Sequence, residues 1–125
     1  MNVDTRFINA QSLQEIKDLI KQIFNEEGND FNKSEIQKNL AYSLRERLQS
    51  RHKVVNKLSR AEDKLTRLET ILTTIDKPYK IKRTRFYILC CKEKIDDLKS
   101  ELDKIDEKMA LLSISLHEFR KKVSG

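Results

Sequence analysis

The stretch that decides the fold is residues 88–123, ILCCKEKIDDLKSELDKIDEKMALLSISLHEFRKKV. From Ile88 onward its apolar residues recur in alternating steps of three and four, the spacing that keeps one stripe of a helix facing a partner helix. The full apolar series begins slightly earlier and comprises Ile81, Ile88, Cys91, Ile95, Leu98, Leu102, Ile105, Met109, Leu112, Leu116, Phe119 and Val123. This part of the chain is therefore predicted to be one strand of a coiled coil.

A second apolar series of nearly equal length precedes the first and ends at Ile75. Its members are Ile36, Leu40, Leu44, Leu48, Val55, Leu58, Ala61, Leu65, Leu68, Leu72 and Ile75. Lys77 precedes a proline and is pushed away from helical dihedrals, whereas Pro78 suits the first turn of a following helix. We therefore predict a turn at 76–79 between a helix over residues 33–76 and a helix over residues 78–123.

An additional short helix is predicted over residues 12–27. Ser12 and Glu15 have the spacing of a capping box, and the apolar residues that follow recur at helical spacing. A second capping box, Asn32 with Glu35, precedes the next helix. A helix of about four turns is unstable alone, so we expect it to pack against residues 36–50 and 109–123. Residues 1–11 show no periodicity and are predicted to be flexible or weakly docked.

The predicted fold class is therefore all-α, a single helical domain over residues 1–125. It consists of an antiparallel coiled-coil hairpin with a short N-terminal helix at its open end, where the three helices form a bundle. A turn centred near residue 78 brings a basic block on one strand alongside an acidic block on the other. The basic block comprises Arg51, Lys53, Lys57 and Arg60, and the acidic block comprises Asp96, Asp97, Glu101, Asp103, Asp106 and Glu107. Such a pairing would favour the antiparallel orientation.

Composition limits the class of protein. The 125 residues are 38% hydrophobic and 37% charged, with two Gly, one Pro and no Trp, a bias typical of long helices. The amino terminus lacks the pattern of a signal peptide, and the longest apolar run, from Phe86 to Cys91, is too short to span a bilayer. The two cysteines are adjacent, which disfavours a disulfide between them and indicates a reducing compartment. We expect a soluble protein of the cytoplasm, with the nucleus as the open alternative.

The candidate site lies around the predicted turn, where cations alternate with exposed apolar residues. The formal net charge is +6, and residues 76–94 alone carry about +5. The candidate partner-binding residues are Lys77, Tyr79, Lys80, Lys82, Arg83, Arg85, Phe86, Tyr87, Leu89 and Cys90. Two simpler interpretations remain open, since the cations could merely solvate the turn and the aromatic residues could fold back beneath it.

Catalytic and cofactor motifs are lacking in the sequence. His52 and His117 lie on different predicted helices without a third ligand, and Cys90 has no histidine or resolving cysteine at helical spacing. We therefore expect no enzyme activity, no cofactor and no metal.

The predicted function is that of a protein–protein interaction or scaffolding module, such as an adaptor or complex subunit. It would present the basic, aromatic turn region to an acidic or apolar groove of another protein. A homodimer or a hetero-oligomer would also cover the exposed apolar residues. The alternative is a nucleic-acid-binding arm that uses the cations of the same region.

Overall fold

The computed structural model describes residues 6–27 and 33–124. They form a 3₁₀ helix at Arg6–Asn9, followed by α1 at Leu13–Glu27, α2 at Lys33–Leu72 and α3 at Pro78–Ser124. The all-α hairpin predicted from the two apolar series is confirmed. Asn32, the first residue of the second predicted capping box, lies outside the described residues.

The start of α1 follows the predicted capping box, with one difference. The amide of Glu15 donates to Ser12 Oγ at 3.1 Å, as the motif requires. The Glu15 carboxylate accepts from the amide of Gln11, at 2.9 Å, one residue earlier than the motif's usual partner. Two amides at this helix end are thereby bonded to side chains.

The end of α2 lies four residues before the predicted end at residue 76. The hydroxyl of Thr73 donates to the carbonyl of Thr70 at 2.6 Å, and that of Thr74 donates to the carbonyl of Ile71 at 2.9 Å. The amides of both threonines donate to the same two carbonyls, so hydrogen bonds from residues i+3 satisfy these carbonyls at the end of the helix. The link between α2 and α3 is thus residues 73–77, and the carbonyl of Lys77 accepts hydrogen bonds from the amides of Lys80 and Ile81 in the first turn of α3.

The residues group into two compact units. The first unit contains the described residues up to Ser50 together with those from Ile105 onward. In this unit α1 packs against α2 and α3, as predicted. Its buried core comprises Phe7, Ala10, Ile16, Ile23, Ile36, Leu40, Leu112, Leu116 and Phe119.

The N-terminal segment differs from the expectation for residues 1–11. Phe7 is 1% exposed and belongs to the core of the first unit, and Ala10 is also buried. A guanidinium Nη2 of Arg47 in α2 donates a hydrogen bond to the carbonyl of Ile8. Burial lowers the pKa of Arg47, because desolvation disfavours its charged form. Residues 6–10 are therefore a packed part of the bundle.

The second unit, Arg51–Lys104, is the part of the hairpin that contains the turn. The predicted apolar stripe of α3 is buried here at Ile88, Cys91, Ile95 and Leu98. Thr84 is also buried and occupies the position between Ile81 and Ile88 at which the apolar series skips a step. On α2 the buried residues of this unit are Val54 and Ala61.

The register of the two strands in the second unit is fixed by one contact across them. Cys91 Sγ lies 3.2 Å from the carbonyl oxygen of Ala61, to which it donates a weak hydrogen bond. A turn centred near residue 78 would instead have placed Cys91 opposite residue 65 or 66. The strands are displaced by about one helical turn from the predicted register, because α2 ends one turn early.

Candidate partner-binding surface

The predicted partner-binding residues fall within the link before α3 and its first four turns. All of them are exposed except Lys80, which is half-buried. The structure thus places the whole set on one short segment of the second unit.

The most exposed apolar residues of the segment share the side of α3 that faces away from α2. Tyr79, Phe86 and Leu89 are 62%, 61% and 65% exposed. Steps of seven and three place them along one face of a helix, whereas Ile81, Thr84 and Ile88 face α2. We refer to Tyr79, Phe86 and Leu89 as the outer face. The alternative in which the aromatic residues fold beneath the turn would bury Tyr79 and Phe86, but both side chains are exposed.

Cations flank the outer face on both sides. Lys82 and Arg83 follow Tyr79 by three and four residues, so they lie between Tyr79 and Phe86 on the same side of the helix. Arg85 and Lys82 border a shallow concavity with Pro78 and Ile81. An apolar strip with a cationic border can bind a surface that combines apolar and acidic groups.

Tyr87 and Cys90 belong to a different surface from the outer face. Both line a groove between α2 and α3 with a volume of about 520 Å³. The complete lining is Lys57, Arg60, Ala61, Lys64, Tyr87, Cys90, Cys91, Lys94 and Leu98. We refer to the groove with this lining as the cationic groove. The ring of Tyr87 is nevertheless close to that of Phe86, with centroids 6.0 Å apart and planes at 57°.

The charged residues that line the cationic groove are not those expected from the predicted pairing of the basic and acidic blocks. Lys57 and Arg60 were expected alongside carboxylates, but the groove residue from α3 that carries charge is Lys94. None of the nine lining residues is Asp or Glu. The difference follows from the register, since a displacement of one turn changes which residues of α3 flank each residue of α2. Sequence reasoning could not identify this groove without knowing where α2 ends.

The two cysteines have different environments, as their positions relative to the apolar stripe predict. Cys91 is buried on the α2-facing side, and Cys90 is exposed at the groove. Among the described residues no cluster of three or more His, Cys, Asp or Glu side chains could hold a metal ion. In the same part of the chain, no helix is both long and apolar enough to cross a membrane.

Comparison with known proteins returns no match to a family model, a curated protein or a solved structure. The candidate surface must therefore be interpreted from its own chemistry.

Proposed function

We propose that this protein is a non-enzymatic interaction module that binds another protein through the outer face of α3. The observation that carries the proposal is the exposure of Tyr79, Phe86 and Leu89 on one side of a helix whose opposite side is already packed. Exposed side chains of this size are costly to hydrate when they cluster, and such clusters commonly mark sites of protein association. Aromatic residues are also enriched at the centres of interfaces.

The neighbouring cations define the kind of partner. Lys77, Lys82, Arg83 and Arg85 are exposed around the apolar residues. They would steer an acidic surface towards the outer face and set its orientation, while the apolar residues supply most of the binding energy. The partner would therefore present an apolar groove with carboxylates at its margin. A second copy of this chain is one possible partner of that description.

The test is a comparison of two double variants that remove exposed apolar residues from different places. Phe86→Ser with Leu89→Ser alters the outer face, whereas Leu48→Ser with Ile114→Ser alters two less exposed apolar residues at the surface of the first unit. Proteins co-purified from native extract are quantified by mass spectrometry, and self-association is measured by sedimentation equilibrium.

The outer-face variant is expected to lose a specific set of bound proteins, or the self-association, that the control variant retains. Circular dichroism should show unchanged helicity for both, because the altered side chains are exposed. Equal capture and equal self-association by the wild type and the outer-face variant would refute the proposal.

The concentration of cations supports a second candidate function, binding of nucleic acid through Lys77, Lys80, Lys82, Arg83 and Arg85. Cations that neutralise phosphates release counterions, so affinity should fall steeply as salt rises. Binding of a labelled duplex or tRNA is measured at low and at moderate salt. A lack of binding at low salt would rule out this function, and a salt-insensitive interaction would favour the apolar outer face.

A further inference from the structure

The cationic groove is bordered by a regular series of exposed cations on α2. Its members are Lys53, Lys57, Arg60, Lys64 and Arg67, in steps of four, three, four and three. These steps keep all five side chains on one edge of the helix, over about 21 Å at 1.5 Å per residue. No Asp or Glu occupies a position of this series.

In a coiled coil, residues at such flanking positions usually face residues of opposite charge on the partner strand. Within the groove the facing strand does not supply them, and its next residue on this flank, Glu101, lies one heptad beyond Lys94 and outside the groove lining. In the groove it contributes Tyr87, Cys90 and Lys94. The hairpin therefore leaves its own cationic edge electrostatically unbalanced, with like charges from both strands on one groove.

The opposite edge of the same two strands gives a direct comparison. There α2 carries Glu62 and Glu69, and α3 carries both signs at Arg85, Lys92 and Asp96. The two edges have the same backbone geometry and the same solvent, so solubility alone does not account for the segregation of cations to one of them. The cations segregated to this edge are therefore available to an anionic group outside the hairpin.

The floor of the groove distinguishes between kinds of anionic partner. Ala61, Cys91 and Leu98, which are largely buried between the two helices, form a narrow apolar floor, and the ring of Tyr87, 49% exposed, adds most of the accessible apolar surface. A phosphate backbone gains little from an apolar floor, whereas an amphipathic helix requires one. A helix laid along the groove would also repeat its carboxylates at the same three- and four-residue steps as the cations.

We infer that the cationic groove binds an acidic amphipathic helix of a partner protein as a third strand. Apolar residues of that helix contact Ala61, Tyr87 and Leu98, and flanking Asp or Glu side chains pair with Lys57, Lys64 and Lys94. This inference is independent of the outer face, because its cations come mainly from α2.

The test uses the intact chain and a fluorescein-labelled synthetic helix about three heptads long. The peptide has Leu at two positions of each heptad and Glu at the flanking positions, and a control peptide has Gln in place of Glu. Binding is followed by fluorescence anisotropy. The Glu peptide should bind. The Gln peptide should have an affinity at least about tenfold lower, because it lacks several partly exposed ion pairs.

Two charge-matched variants locate the site. Lys57→Glu with Lys64→Glu should weaken the binding of the Glu peptide about tenfold or more, because attraction becomes repulsion. Lys92→Glu with Lys99→Glu changes the net charge equally on the opposite edge and should leave the affinity unchanged within about twofold. If charge reversal disturbs folding, Lys57→Gln with Lys64→Gln and Tyr87→Ser provide the same comparison with smaller changes.

Three results would overturn the inference. The Glu peptide could fail to bind at millimolar concentration, or the two charge-reversal variants could weaken binding equally. A labelled single-stranded oligonucleotide could also bind more tightly than the peptide and depend on Lys57 and Lys64, in which case the groove is a nucleic-acid site.

Discussion

Replacing Phe7 by alanine tests whether the N-terminal segment is an integral part of the first unit. Phe7 is 1% exposed and contacts a core built from all three helices. Phe86 offers a matched control, because the same substitution there removes a ring that is 61% exposed. The two substitutions remove the same atoms, and only the burial of the removed ring differs between them.

The expected cost follows from the burial of the ring. Changing a fully buried Phe to Ala removes roughly 100–130 Å² of buried apolar surface, worth about 2.5–3.3 kcal/mol at about 25 cal/mol per Å². The cavity that remains raises the cost to about 3–5 kcal/mol. Phe86→Ala should change the free energy of unfolding by no more than about 0.5 kcal/mol.

Urea denaturation followed by circular dichroism at 222 nm measures both variants. With a slope of about 1–3 kcal/mol per molar urea, Phe7→Ala should lower the midpoint by roughly 2 M. A loss of less than about 1 kcal/mol would show that the 3₁₀ helix does not contribute to the core. A comparable loss in Phe86→Ala would show that the outer face is covered and would also contradict the proposed function.

Further measurements test the half-buried Arg47, the cysteines and the register. Arg47→Met should destabilise the protein by about 1–2 kcal/mol in the same assay, because it removes the hydrogen bond to the N-terminal 3₁₀ helix; an unchanged midpoint would contradict this. In native protein one thiol, Cys90, should react rapidly with a thiol reagent, and Cys91 should react only after denaturant is added; two rapidly reacting thiols would show that the α2-facing side of α3 is open. With Cys90 changed to serine, Ala61→Cys should form a disulfide with Cys91 on oxidation and Leu65→Cys should not, because Ala61 faces Cys91 and Leu65 lies one turn away; the reverse outcome would restore the register predicted from sequence.

The helices were predictable because their determinants are local. Heptad spacing marked the stripes that pack, and Ser12 with Glu15 marked the start of α1. Pro78 fixed the start of α3, since a proline is favoured in a first turn and the residue before it avoids helical dihedrals. The packing of α1 on α2 and α3 followed from its apolar face and from its length, because a helix of about four turns is unstable alone.

The role of Phe7 was not predictable in the same way. Phe7 and Ile8 form an isolated apolar pair, and no periodicity distinguishes such a pair from a frayed terminus. Its burial depends on a tertiary space between helices and on the bond that Arg47 makes with the carbonyl of Ile8. A half-buried cation in a helix interior is compatible with many partners, so the sequence did not indicate this one.

The composition of the candidate surface was partly predictable. Residues that leave the apolar stripe, such as Phe86 and Leu89, could be identified from spacing alone, and the structure places them at the surface. The residues of α2 that lie beside Tyr87 and Cys90 could not be identified, because α2 ends one turn earlier than predicted and the register shifts accordingly. An error of four residues at one helix end was enough to conceal the cationic groove.

The shared repeat of α2 and α3 in the second unit also determines which changes in chain length this hairpin can accept. A single inserted residue rotates every later side chain of its helix by about 100° and removes the following apolar residues from contact. Matched insertions of one heptad, one beyond Leu58 and one before Ile95, preserve every contact on either side and lengthen the pair by about 10 Å. Natural variation in the length of this segment should therefore occur in paired steps of seven residues, while isolated insertions and deletions should be confined to the link at residues 73–77.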